Sequence, residues 1–429
     1  MIFYSRILLL SLALLACKSD NVMSDASNAT KPNIIFIIAD DMGLDATPSY
    51  TIGNLKPSMP NLTALQNTGL KFTNFSTNPL CSPTRASIIS GKYGYKTGVL
   101  TVDDILSNSE TTLQKFINQN TQNTYATAVI GKWHLAGTST TFNPELLGID
   151  YYAGILSGGV PSYTNWTLRE DGNSTPQKAY STEKLTDLAK TWVSQQSKPF
   201  FLWLAYNAPH SPFHVPPANM HKQGNLSSNT TDINANPLPY YLASIEAMDY
   251  QIGQLLAFLT PEQKANTIII FIGDNGTPNQ VAQTYSRNRV KNTVYQGGIN
   301  TSLIVSGKGV ERTGWDNSLL NSTDLFATIA TICGVTTETY NDSKNFSSLF
   351  KTSKAIREYA YSEVKDDSID EYSIRNLKSK LIVKTNGSQE FYDLEKDPLE
   401  TNNLNEKLSN EEKITKKQFL EELKKIRTK

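Results

Sequence analysis

The sequence predicts an α/β protein. A large domain holds a predominantly parallel central sheet covered by helices on both faces, and a smaller C-terminal α+β domain holds a short antiparallel sheet. Two observations carry this prediction. Apolar runs with strand character recur along the chain, alternating with segments whose apolar residues fall at three- and four-residue spacing. Past about residue 350 the runs become short and closely spaced, as strands of a small antiparallel sheet do.

Residues 34–38, Ile-Ile-Phe-Ile-Ile, read as a strand buried on both faces. That strand ends in Asp40 and Asp41. The same grammar returns three times: 125–130 leads into Gly131-Lys132-Trp133-His134, 200–205 into Asn207-Ala208-Pro209-His210, and 267–272 into Gly273-Asp274-Asn275. In open α/β sheets, ligands bind at this C-terminal strand edge. Helices are expected over 59–68, 112–118, 181–196 and 240–259. The short runs 358–364, 373–375, 380–385 and 390–394 supply the small sheet. A helical tail from 411 onward presents Phe419, Leu423 and Ile426 on one face.

Hydrophobic residues make up 39% of the 429 and aromatics 10%, which excludes a disordered chain. Forty Lys and Arg balance forty Asp and Glu, so bulk attraction to nucleic acid is excluded. The start of the chain reads as an export signal: a basic residue, Arg6, then an apolar run over 7–16 too short to span a bilayer. Leu14-Leu15-Ala16-Cys17 resembles the lipobox of bacterial lipoproteins, which implies lipidation of Cys17. The expected organisation is a signal peptide over 1–16, a flexible tether over 17–31, a catalytic domain over 32–350 and a C-terminal subdomain over 351–429. The expected location is the outer membrane, facing the periplasm or the cell surface.

Cys81-Ser82-Pro83-Thr84-Arg85, followed by Ser90-Gly91, is the most specific signal in the chain. It resembles the Cys-X-Pro-X-Arg signature of type I sulfatases in the alkaline-phosphatase superfamily, with Ser90 where the family usually has Thr. The Asp-Asp strand end, Gly-Lys-Trp-His, Ala-Pro-His-Ser-Pro, Gly-Asp-Asn-Gly and the late Phe391-Tyr392-Asp393-Leu394 follow in the family's order. The cysteine count agrees with this reading. With Cys17 lipidated and Cys81 modified, only Cys333 of the three remains, in an apolar context that marks it as a core residue.

The resemblance implies conversion of Cys81 to formylglycine by a maturation enzyme. One hydroxyl of the hydrated aldehyde would attack sulfur, and the other would later allow sulfate to leave by C–O cleavage. Asp40, Asp41, Asp274 and Asn275 are hard oxygen donors from two strand ends and suit Ca²⁺ or Mg²⁺, with residue 81 as a further ligand. The resemblance favours Ca²⁺. It also implies that His134 is the base that acts on residue 81, and that His210 meets the leaving oxygen and the substrate. Arg85, Lys132 and Lys291 would supply positive charge around the sulfate. His214, four residues beyond His210, is a further candidate for substrate contact. His221 belongs to no motif and is expected at the surface.

The implied substrate is a sulfate monoester on a carbohydrate or an aryl alcohol, carbohydrate being favoured for an exported, membrane-anchored hydrolase. Segments 156–171 and 222–236 are expected to wall the pocket. Two rival readings remain. A phosphodiesterase or phosphonate monoester hydrolase of the same superfamily would show turnover of phosphate diesters over sulfate monoesters. A non-catalytic sulfoglycan-binding protein would bind without turnover.

Overall fold

The computed structural model describes residues 31–428. Cys17, the export segment and all of the tether except Lys31 lie outside the described residues. Ten strands form the central sheet: β1 (Asn33–Ala39), β2 (Leu70–Ser76), β3 (Ala126–Lys132), β4 (Tyr151–Ile155), β5 (Trp166–Glu170), β6 (Asn173–Gln177), β7 (Phe200–Ala205), β8 (Thr267–Gly273), β9 (Asn300–Gly307) and β10 (Gly314–Asn321). Their spatial order is β10-β2-β9-β8-β1-β7-β3-β4-β5-β6. The block β8-β1-β7-β3-β4 is parallel throughout. Strand β9 runs antiparallel to both its neighbours, and β5 and β6 extend the far edge as an antiparallel pair.

Strand β1 sits between β8 and β7, and its side chains alternate between two cores. Ile34, Phe36 and Ile38 join one core with Ile88, Ile117 and Phe326, from helices Cys81–Ser90, Leu113–Thr121 and Asp324–Ile332. Ile35, Ile37 and Ala39 join the other with Leu62, Leu185 and Ile245, from helices Pro60–Thr68, Ser181–Ser194 and Leu238–Phe258. Both faces are therefore covered, which explains the continuous apolar run. Each such side chain contributes roughly 1.5–3 kcal/mol by leaving water, so a charge anywhere in 34–38 would disrupt the centre of the sheet.

After a two-stranded pair, β11 (Thr339–Tyr340) and β12 (Ser343–Lys344), the chain forms a four-stranded antiparallel sheet. Its strands are β13 (Ala360–Lys365), β14 (Asp370–Arg375), β15 (Ser379–Val383) and β16 (Gln389–Asp393), paired in sequence order. Helix Asn410–Arg427 starts at a capping box between Ser409 and Glu412, and buries Phe419 and Leu423 against Ile374, Leu381 and Phe391. Val364, Ile382 and Tyr392 of the small sheet share a buried cluster with Leu80 and Val294. Leu80 immediately precedes Cys81, so the small sheet braces the residue that leads into the site.

Candidate active site

The parallel block delivers its strand ends to one edge. Asp40 and Asp41 follow β1, His134 follows β3, and Asp274 and Asn275 follow β8. The turns lock together: the Asp40 N–H donates to the Ala208 carbonyl (3.1 Å) and the Asp274 N–H to that of Ala39 (3.2 Å). Asp41 and His134 have left-handed backbones, at φ 69° and 56°. Asp and His tolerate that region better than most residues, and such positions gather where side chains must be aimed.

Cys81 is the first residue of helix Cys81–Ser90, at the positive end of its dipole. The helix stops at Gly91, whose φ of 66° suits a glycine cap. Cys81 Sγ lies 3.1 Å from His134 Nδ1. Burial raises the thiol pKa and Lys132 opposes it, with a net rise. Burial, and then Lys132 and Arg85, push His134 far below the usual imidazole range, so its ring is neutral. Its Nε2 faces Asp103 Oδ1 at 3.7 Å.

The acidic and basic candidates interlock. Lys132 Nζ donates to Asp40 Oδ2 (2.6 Å) and Lys291 Nζ to Asp41 Oδ2 (2.6 Å). Arg85 donates to Asp274 Oδ2 through Nη2 (2.8 Å) and Nε (3.2 Å), and to the Lys132 carbonyl through Nη1 (2.8 Å). Asn275 Nδ2 donates to Asp41 Oδ1 at 2.7 Å. Burial pushes Asp41 up, but Lys291, His210 and Lys132 outweigh it and hold the carboxylate well below its usual range. Asp274, raised by burial and by Asp40 against the pull of Arg85, stands at about 6.

These residues fit a cation on two counts. Asp40, Asp41 and Asp274 each offer an oxygen, and those oxygens lie within 4.8 Å of one another. Asp40 Oδ1 and Asn275 Oδ1 are buried with no hydrogen-bond partner among the described residues. Three carboxylates against Arg85, Lys132 and Lys291 sum to zero formal charge. A divalent ion would turn the cluster net positive, as an anionic ester requires.

His210 is 21% exposed, and its Nε2 lies 3.6 Å from Asp41 Oδ2. Its Nδ1 sits 2.7 Å from the Ser211 carbonyl, which can only accept, so Nδ1 carries the hydrogen and Nε2 is left to face the site. His214 is placed differently from the expectation of substrate contact. It stacks on Tyr163 at 3.9 Å, and both ring nitrogens are engaged, Nε2 by the Tyr180 hydroxyl and Nδ1 at the Pro212 carbonyl. His221 is only partly exposed, with Nδ1 accepting from the Gln223 N–H. Arg85 is 1% exposed, so it faces the carboxylates and not open solvent.

A cavity of about 410 Å³ includes Asp41 and Lys291, with Val102, Phe213 and Ile369 on its walls. A second, of about 390 Å³, is lined by Asp103, Leu156, Gly159 and Arg169, so segment 156–171 borders a cavity that also includes the His134 neighbour Asp103. Segment 222–236 contributes no residue to either cavity. Lys222 instead lines a separate cavity with His221, Glu246 and Asp249. Of two neighbours of His134, Asp103 lies outside every segment and motif the sequence singles out, whereas Gly158 falls within the expected wall at 156–171. Asp103 carried no signal, since its loop meets His134 only through the fold. Gly158 belongs to a Gly-Gly pair that could have flagged a close approach.

A family model described as Sulfatase matches residues 32–335, and one described as N-sulphoglucosamine sulphohydrolase, C-terminal, matches 289–429. "Uncharacterized sulfatase YdeN" of Escherichia coli is 30% identical over 365 residues, covering 72% of this chain and 64% of that protein. The chain thus spans just under two thirds of that relative's length. "Ulvan-active sulfatase" of Formosa agariphila is 26% identical over 426 residues, covering 92% of this chain and 82% of the other. A solved structure, "Ps i-CgsB in complex with k-i-k-neocarrahexaose", superposes with a TM-score of 0.79 at 23% identity, covering 92% of each chain.

Proposed function

Because the chain belongs to the sulfatase family, we propose that it hydrolyses sulfate monoesters carried on a glycan, using Cys81 in its formylglycine form. The observation that carries this reading is the 3.1 Å contact between Cys81 Sγ and His134 Nδ1, within reach of three carboxylates and three cations. A glycan is favoured because one relative is named for activity on ulvan and a structural neighbour was solved in complex with k-i-k-neocarrahexaose.

Formylglycine would supply a hydrated aldehyde whose hydroxyls act as nucleophile and, later, as the means of releasing sulfate. Asp40, Asp41, Asp274 and Asn275 would hold a divalent cation, Ca²⁺ ahead of Mg²⁺, with residue 81 beside it. That ion would polarise sulfate oxygens and lower the pKa of a bound hydroxyl. Lys291, the most exposed of the three cations, would hold the anionic ester, Lys132 would add positive charge from behind Asp40, and Arg85 would fix Asp274 in position. His134, neutral and facing residue 81 through Nδ1, would take a proton from it. His210, with its Nδ1–H committed to the Ser211 carbonyl, would act as the imidazolium and give its Nε2 proton to the departing oxygen, reverting to the neutral ring. A maturation enzyme that converts Cys81 is a required partner.

Lipidation at Cys17 and residence at the outer membrane, facing the periplasm or outward, complete the proposal. Labelled palmitate that enters the protein but not its Cys17→Ala variant supports the anchor, and equal labelling removes it. The activity itself is tested by a hydrolysis screen over sulfated oligosaccharides, using protein co-expressed with a formylglycine-generating enzyme. Release of sulfate from at least one is expected. Turnover of phosphate diesters with none of sulfate esters would overturn the reading, as would binding of sulfated glycans without turnover.

A further inference from the structure

Away from the Cys81 cluster, a concavity of about 410 Å³ opens where Tyr50, Thr51, Tyr285, Gln296, Trp315 and Asn317 converge. It shares no lining residue with the cavity that holds Asp41 and Lys291. None of its twelve lining residues is charged, in a chain with 19% charged residues. Trp315 is 43% exposed, an unusual place for an indole. The ring is already braced: Tyr50 meets it edge-on at 4.9 Å, and Lys71 Nζ lies 5.3 Å from its centroid while donating to the Gln66 carbonyl.

Ser49, Tyr50 and Thr73 spend their hydroxyls on Gln66, the Phe72 carbonyl and Asn317, but other polar groups here are unspent. Gln296 and Asn300 are 5% and 8% exposed, and each keeps a buried side-chain carbonyl oxygen with no partner among the described residues. Buried polar atoms are normally hydrogen-bonded, so two orphans in one wall call for an explanation. Asn317 Oδ1 accepts from Thr73, but its Nδ2 makes no hydrogen bond among the described residues. The same holds for the Trp315 indole N–H and the hydroxyls of Thr51 and Tyr285. The concavity thus offers the Trp315 and Asn317 N–H donors and the Thr51 and Tyr285 hydroxyls, beside an aromatic wall, with the two orphaned carbonyl oxygens buried just behind it.

We propose that this is a second carbohydrate-binding site, which holds an uncharged stretch of glycan. A pyranose presents what the site lacks: a C–H face for the indole and a ring of hydroxyls that both donate and accept. No lining residue is charged, and the nearby Lys71 ammonium is committed to the Gln66 carbonyl and the indole face, which argues against a sulfate, phosphate or uronate there, because desolvating an anion without a counter-charge is costly. The volume suits one or two sugar units. The site would hold the polymer while the Cys81 cluster acts elsewhere along it, raising the effective concentration of sulfated units without touching the chemistry.

The test uses the full chain carrying Cys81→Ala, so the result does not depend on sulfatase chemistry. Binding is measured on an array of uncharged oligosaccharides of glucose, galactose, mannose and xylose. At least one is expected to bind, with a loss of tenfold or more in Trp315→Ala and a similar loss in Asn317→Asp, which places a charge in the neutral wall. In protein with Cys81 intact and converted, both substitutions should leave turnover of nitrophenyl sulfate unchanged. No binding to any uncharged sugar overturns the proposal. So does binding that survives both substitutions, or loss of nitrophenyl sulfate turnover in either variant.

Discussion

Gly158 lies against the ring of His134 so closely that a Cβ at 158 would come within 2.5 Å of both Cε1 and Nε2. No carbon can sit there unless the imidazole moves. The next glycine, Gly159, is in ordinary contact, its Cβ position being 3.4 Å from His210 Cε1. The pair therefore sets the approach of one loop to two histidines, with no slack on the His134 side.

Gly158→Ala should displace His134 and lower kcat by about 100-fold, the scale of a 1 Å misplacement at a reacting centre. Its backbone is not left-handed, so alanine is not otherwise strained there and the melting temperature should change little. In a His134→Ala background the same substitution should cost nothing, since no ring remains to be pushed. Additive losses in the double variant would show that Gly158 matters for another reason. Gly159→Ala should be mild.

Protein co-expressed with a formylglycine-generating enzyme should carry an aldehyde at residue 81, read by peptide mass spectrometry. An intact thiol despite an active maturase would remove the proposed nucleophile. Cys81→Ala should abolish turnover with the fold retained, and Cys81→Ser should be equally inactive. Neither substitution removes one of the charges around Asp40, Asp41 and Asp274, so both proteins should still bind a divalent ion, with weaker affinity.

Elemental analysis of active protein should find close to one divalent cation per chain, calcium ahead of magnesium. Asp40→Ala should lose the ion and at least about a thousandfold in activity, since Lewis-acid assistance is worth several kcal/mol. It also leaves Lys132, at 0% exposure, without its partner at 2.6 Å, so a loss of stability should accompany the loss of metal. Asp40→Asn keeps the shape and an acceptor for Lys132 but not the charge, so it should bind metal as poorly as Asp40→Ala while losing less stability. Full activity in protein free of metal would end the cation proposal.

What the sequence could disclose follows from how locally each feature is encoded. Strand β1 was legible because both its faces are buried, so no polar residue interrupts 34–38. Strand β2 was not, since Lys71 and Asn74 break its pattern, and Lys71 is accommodated by Trp315 and the Gln66 carbonyl, which the sequence does not bring together. Strands β5 and β6 form an edge hairpin, and in β6 almost every residue is exposed, so no apolar period exists to read. Asp40, Asp41, Asp274 and Asn275 stood out because they adjoin apolar strands that a parallel sheet must align. Asp103 did not, and Gly158 was marked only as part of the 156–171 wall, because their closeness to His134 depends on loops meeting across the fold. His214 shows the opposite error: its spacing from His210 suggested a shared site, but its ring turns into Tyr163 and Tyr180.

The last prediction separates the two histidines by the step at which each fails. His134 Nδ1 faces residue 81, whereas His210 presents Nε2 near Asp41, so they address different protons. If His134 acts on residue 81 after the alcohol has left, His134→Ala should give a first-turnover burst of alcohol with sulfate release lagging behind it. If His210 protonates the departing oxygen, His210→Ala should slow alcohol release itself and show no burst. Its defect should also shrink on nitrophenyl sulfate, because a stabilised phenolate needs little protonation to depart. General acid–base assistance is worth roughly 10²–10⁴-fold, so the contrast between alkyl and nitrophenyl esters should be plain in steady-state rates. Alcohol and sulfate are assayed separately in rapid-quench time courses at enzyme concentrations comparable to substrate. Equal losses on both esters in His210→Ala, together with simultaneous release of alcohol and sulfate in His134→Ala, would overturn these two roles. The family assignment would stand, because it rests on the match over residues 32–335 and not on either histidine.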